Sequence, residues 1–158
     1  MKLKDIAKVK KEKWAKLGGK LVTRIIEDAG KGISQDGLGE SRDFKAYSFN
    51  YAVKKKAGKA GPKGPGKDRQ TSPPNLRLTG EMLGSLKAQR ATTESVEINY
   101  RSGLKVLGHS EKRGNKPKRN IYGLNNKNQE FVKDYINDEI DENITKYFKK
   151  KIIIDVKV

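Results

Sequence analysis

Few residues in this chain stand at spacings that could do chemistry, and the chemistry open to them is narrow. Asp134 and Asp138 lie one helical turn apart and form the one carboxylate pair worth testing for a divalent cation. Glu130, Glu139, Asp141 and Glu142 crowd the same stretch, a density that a solvated helix face produces more often than a metal site does. His109 is the single histidine, and no second histidine, cysteine or placed acid accompanies it to make a general base. Cysteine is absent, which removes disulfides, thiolate metal sites and a cysteine nucleophile. No set of nucleophile, base and orienting group is recognisable, so the sequence points away from an enzyme and calls for no cofactor.

The cations carry more information. Lys and Arg number 36 against 19 Asp and Glu in 158 residues, a net charge of +17. Such an excess argues for a polyanion as partner or neighbour, the plain alternative being a solvated basic surface. Two stretches concentrate it. Residues 54–75 hold Lys54, Lys55, Lys56, Lys59, Lys63, Lys67 and Arg69 against Asp68 alone, with Gly and Pro interspersed and no phosphate-loop pattern. Too polar to offset its own ordering entropy, this tract reads as a flexible cationic arm that neutralises duplex phosphates without reading sequence. Lys112, Arg113, Lys116, Lys118 and Arg119 form a second basic loop. Together these are the candidate DNA-facing residues.

The elements that must position them are legible in outline, within one domain spanning 1–158. Ile6, Val9, Trp14, Leu17, Leu21 and Ile25 recur at helical steps and predict a long helix over 3–29, with Gly18-Gly19 a kink or break and Gly30 a stop. Phe44, Tyr47 and Tyr51 mark a short helix, or one that starts later with Ser48 as its cap; packing is favoured over base stacking for its rings. Leu76–Leu86 opens another helix running to about Arg90, with Thr79 as N-cap and Leu78 and Leu83 as a hydrophobic staple. After a turn at Thr92–Ser95, Val96–Tyr100 alternates as a half-buried strand and Leu104–Leu107 returns as its hairpin partner. Asn125 caps a final helix over 126–149, and Lys151–Val158 reads as a β-branched strand.

The acidic last helix can dock on the Lys-rich first helix of a neighbouring copy, which makes Lys10, Lys13, Lys20, Asp134, Asp138 and Glu142 candidate subunit contacts. Ile152 and Ile154 join them, because a bare terminal strand seeks a partner edge. No apolar run approaches the roughly 18–20 residues of a membrane span, and the basic N-terminus leads into charged helix rather than a signal sequence.

Three groups of residues in this order carry a resemblance. They are Phe44-Lys45-Ala46-Tyr47-Ser48-x-x-Tyr51-Ala52, then Leu76-x-Leu78-Thr79-Gly80-x-Met82-Leu83-x-Ser85-Leu86, then Arg119-Asn120-Ile121-Tyr122-Gly123-Leu124 before the closing helix. Residues 37–148 so patterned resemble the tail-completion or neck proteins of tailed bacteriophages, also grouped as virion morphogenesis or head–tail connector proteins. The resemblance implies an α+β fold: a long N-terminal helix and a small, curved, mainly antiparallel sheet with a helix packed across it. It also implies a non-enzymatic homo-oligomeric ring, a hexamer with a dodecamer as the alternative. Such a ring sits in the virion between the portal–adaptor assembly and the tail-terminator or tail-tube proteins, with duplex DNA in its lumen. Synthesis would be in the host bacterial cytoplasm. The competing reading is a free basic nucleic-acid-binding protein of the packaging or nucleoid type.

Overall fold

The computed structural model describes residues 8–35, 44–61, 67–77, 80–101, 103, 106, 119–121 and 123–151. Helix α1 (Lys11–Gly30) buries one stripe, Leu17, Leu21, Ile25 and Ala29, each 4% exposed or less. Burial of the three larger side chains stabilises the fold by about 1.5–3 kcal/mol apiece. Within the described residues the helix starts at Lys11 rather than at residue 3, and Lys10 before it has extended backbone. Gly18-Gly19 does not break it. A Cβ on Gly18 would stand 2.7 Å from a Val96 methyl and 2.9 Å from the Ala88 Cβ, so Gly18 is where the helix backbone meets the sheet. Gly19 faces open space. Past Gly30 the chain reverses at Gly32, whose φ of +78° suits glycine and whose α-carbon lies against the Pro74 carbonyl.

Helix α2 (Phe49–Lys56) starts after Ser48, although the Ser48 hydroxyl makes no capping bond. Helix α3 (Glu81–Gly84) is a single turn entered through Gly80 at φ +79°. Here the sequence expectation fails: the helix does not continue to Arg90. The Ser85 hydroxyl donates to the Met82 carbonyl at 2.7 Å, and strand β1 (Leu86–Ala91) follows at once. β1 pairs antiparallel with β2 (Val96–Tyr100) in register Leu86↔Tyr100 and Ala88↔Ile98, with a bulge between Gln89 and Ala91. The connecting turn is held by Thr92, whose backbone N–H donates to the Ser95 carbonyl and whose hydroxyl oxygen accepts from the Glu94 and Ser95 amides. The described hairpin therefore joins β2 to the residues before it. Of the expected strand Leu104–Leu107 only Val106 is described, and it is helical and wholly buried; the rest lies outside the described residues.

Helix α4 (Asn126–Lys151) runs antiparallel to α1. Asn125 caps it as expected, its side-chain oxygen accepting from the Asn128 amide at 2.9 Å. The core gathers Ala29, Phe44, Leu83, Val106 and Ile121. Mixed α+β architecture, with a long first helix laid across an open antiparallel sheet, is what the sequence predicts; the described sheet has two strands. Thr79, Leu78 and the 151–158 strand lie outside the described residues except for Lys151, which ends α4.

Candidate nucleic-acid interface and subunit surfaces

The predicted DNA-facing cations divide sharply by exposure. Lys54, Lys56, Lys59 and Arg69 are exposed. Lys67 is half-buried and donates to the Ala60 carbonyl at 2.9 Å. Lys55 is a correction: at 1% exposed it faces the interior, not a phosphate. Its ammonium donates to the Asn75 side-chain oxygen at 2.6 Å and to the Tyr47 hydroxyl at 3.3 Å, with the Asp68 carboxylate at 3.9 Å. Burial lowers its pKa, and Asp68 opposes that shift. A partial signal was available, since Tyr51 and Lys55 stand at i and i+4 on one face of α2 and Tyr47 comes just before that helix.

Arg119 is the second correction, 8% exposed and used internally. Its guanidinium donates to the Lys45 carbonyl at 2.9 Å and lies 4.8 Å from the centre of the Tyr47 ring. Burial lowers its pKa too. Tyr47 thus has two cations at its ring, the Lys55 ammonium standing 4.9 Å from the same centroid. Burial pushes its hydroxyl up to about 12, with the Arg119 charge partly opposing. Lys63, Lys112, Arg113, Lys116 and Lys118 lie outside the described residues.

The 54–75 tract is also tied down where it is described. The Asn75 amide donates to Asp68 at 2.6 Å, and the Gln70 amide reaches the Gly30 carbonyl at 3.1 Å and the Pro73 carbonyl at 2.9 Å. The bond to Gly30 occupies a carbonyl that the end of α1 would otherwise leave open. A flexible arm is therefore not what these two ends form.

The predicted subunit contacts also change role. The Lys13 ammonium donates to Glu139 at 2.7 Å and stands 3.5 Å from Glu142, both in the same chain. These bonds, Glu139 first, raise the Lys13 pKa. Lys20 lies over the Tyr135 ring at 5.0 Å, and Arg24 over Phe131 at 4.5 Å. The basic first helix thus meets the acidic last helix within one chain, the docking expected between copies. Glu142 also takes an ion pair from Lys146, which lowers its pKa. Lys10, Asp134 and Asp138 are exposed, and Ile152 and Ile154 lie outside the described residues.

No nucleophile with a base beside it is found among the described residues, and no group of three His, Asp or Glu there could hold a metal. A groove of about 290 Å³ between α1, the hairpin and α4 is lined by apolar side chains such as Trp14, Leu21, Val96 and Ile98. The Trp14 ring N–H in its wall has no partner among the described residues. Such a groove offers apolar contact and no proton transfer. No described helix is long and apolar enough to cross a membrane.

No family model, curated protein or solved structure matches this chain. Geometry and charge are therefore the grounds for a functional reading. Missed by sequence reasoning is the knot of Asp28, Gln35, Asn125 and Asn128 that joins α1 to α4. Three side-chain amides donate to the one Asp28 Oδ2, from Gln35 at 2.8 Å and from Asn125 and Asn128 at 2.9 Å each. Asn128 in turn accepts from the Arg24 Nε at 2.8 Å.

Proposed function

We propose that this chain is a structural subunit: one copy of a homo-oligomeric ring at the neck of a tailed bacteriophage, joining the portal–adaptor assembly to the tail and letting duplex DNA pass. The observation that carries it is the use of polar groups. Buried Lys55, Arg119, Gln35, Asn125 and Asn128 are engaged in bracing the fold, while the +17 chain keeps Lys54, Lys56, Lys59 and Arg69 on its surface. That is the chemistry of a scaffold that tolerates a polyanion, and the order of motifs resembling the neck family supports the same reading. The chain would be made in the host cytoplasm and end in the virion.

The exposed cations of α2 and the following loop also favour a free, monomeric duplex-binding protein. The two readings part on assembly. Negative-stain imaging of the purified protein should show closed rings, a hexamer in the first instance. Duplex binding at low salt should weaken with a log–log slope of about −0.9 per phosphate contacted. A monomer at all concentrations that still binds duplex would select the second reading; a monomer that binds none overturns both.

A further inference from the structure

Two exposed stripes on different helices match each other in length, each with a phenylalanine at one end and a charge at the other, and the charges are opposite. On α2, Phe49, Val53 and Lys56 are at i, i+4 and i+7 and share one face. Phe49 is 81% exposed and Val53 51%, a costly display for large apolar side chains in a chain this short of them. Lys54 and Lys59 flank them, both exposed. On α4, Asp134, Asp138, Asp141, Thr145 and Phe148 follow one another at steps of three and four on the face turned away from α1, and all are exposed. Phe148 is 54% exposed.

Set antiparallel, the stripes coincide: Phe49 against Phe148, Val53 against Thr145 and Lys56 against Asp141. Each spans eight residues, seven steps or roughly 10 Å along its helix axis. A parallel arrangement would put Phe49 against a carboxylate.

The two stripes cannot meet within one chain. α2 sits at the C-terminal end of α1, where Phe44 donates to the Gly32 carbonyl and Gln70 to Gly30. The first turns of α4 are at that same end, since Asn128 bonds Asp28 and Arg24. From there α4 runs toward the start of α1, with Asn143 bonded to the Lys8 carbonyl. Phe148 is twenty residues beyond Asn128, a rise of about 30 Å away from α2.

We infer that the Phe49–Val53–Lys56 face of one copy docks antiparallel on the Asp141–Thr145–Phe148 face of the next. This contact rests on the ring reading and supplies its joint: two different patches, at opposite ends of one subunit, make a heterologous contact that propagates and closes by rotation. It takes the place of the α1–α4 contact between copies, which is used inside the chain. Opposite charge at the rim fixes register, and the apolar residues at the other end supply burial.

Charge reversal in the full-length chain tests it. Copies carrying Lys54→Glu with Lys56→Glu, and separately copies carrying Asp138→Lys with Asp141→Lys, should each associate at least about tenfold more weakly by sedimentation. Mixed one to one, they should assemble again, because every junction in an alternating ring then pairs opposite charges. The chain has no cysteine, so Phe49→Cys copies mixed with Phe148→Cys copies should form a disulfide-linked pair under mild oxidation. A wild-type chain that stays monomeric overturns the ring and this contact with it. A wild-type ring indifferent to both reversals, or disrupted by them but not restored by mixing, overturns this contact and leaves the ring standing.

Discussion

At the first turn of α4 a carboxylate collects amides, whereas beside α2 a lysine and an arginine share one aromatic ring, that of Tyr47. In the first cluster Asp28 accepts from Gln35, Asn125 and Asn128, and the Gln35 side-chain oxygen accepts from the Asn125 backbone amide at 3.2 Å and from Asn128 at 3.0 Å. Short, neutral side chains close around one anion, so donors and acceptors are matched and little charge is buried. In the second, two cations are buried, the Lys55 ammonium stands 3.9 Å from the Asp68 carboxylate, and the Arg119 Nε has no partner among the described residues. The amide cluster should therefore be a net contributor to stability. The cationic cluster should be closer to neutral, since the desolvation of buried charge offsets most of what its bonds return.

The largest effect should come from removing the acceptor at the centre of the amide cluster. Asp28→Ala leaves three donors without their shared oxygen, all of them on residues at most 3% exposed. The expected loss is about 3 kcal/mol or more, read as a lower urea midpoint at unchanged slope. A loss below about 1 kcal/mol would mean that other acceptors replace the carboxylate and that the contrast between the clusters is wrong.

Next in size is a pH effect confined to the cationic cluster. Tyr47 ionises at about 12 in the fold, against an ordinary value of 10.0. Below pH 10 both folded and unfolded chains keep the proton and the contribution to stability is complete. Above it the unfolded chain loses its proton first, so stability falls by about 2–3 kcal/mol as the pH rises through the folded value. Absorbance titration near 295 nm should show a late-titrating phenol that Tyr47→Phe removes. If all the tyrosines titrate together near 10, the ring is not buried between its cations.

The same contrast explains what was legible in the sequence. Asn125 announced itself as a cap because capping is local: an Asn just before an apolar-periodic run. Its partners Asp28 and Gln35 are some ninety residues away, and no local pattern joins them. The stripe of α1 was readable for the same local reason, and the role of Gly18 was not, because Val96 and Ala88 decide it from the sheet. Leu86-Lys87-Ala88-Gln89 reads as helix by propensity, yet it is a strand; its period-two burial, Leu86 in and Lys87 out, was present but outweighed by good helix formers. Among the candidate site residues, exposure separated the cations as charge alone could not. Lys54, Lys55 and Lys56 are adjacent in sequence, and only the middle one turns onto the Tyr47 face.

Lys55→Met should give the smallest change and separates the clusters most cleanly. Methionine fills a comparable length without charge, and Asn75 keeps a donor to its side-chain oxygen from the Arg77 amide at 3.3 Å. Stability near neutral pH should stay within about 1 kcal/mol of wild type, because replacing a buried charge by an apolar side chain of similar size is often neutral or favourable. The sign of its pH dependence is the sharper test. In the wild-type fold the Lys55 pKa is below 10.5, so approaching that pH the unfolded chain holds more protons and stability rises. Lys55→Met should abolish that rise while leaving the Tyr47 loss above pH 10 in place. It should also leave the salt slope of duplex binding unchanged, whereas Lys54→Ala and Lys56→Ala, one residue to either side, should each reduce it by about 0.9 if that side chain meets a phosphate. A Lys55→Met chain with a reduced slope would place this ammonium at a phosphate rather than at Asn75, and the distinction between a bracing lysine and its exposed neighbours would fail.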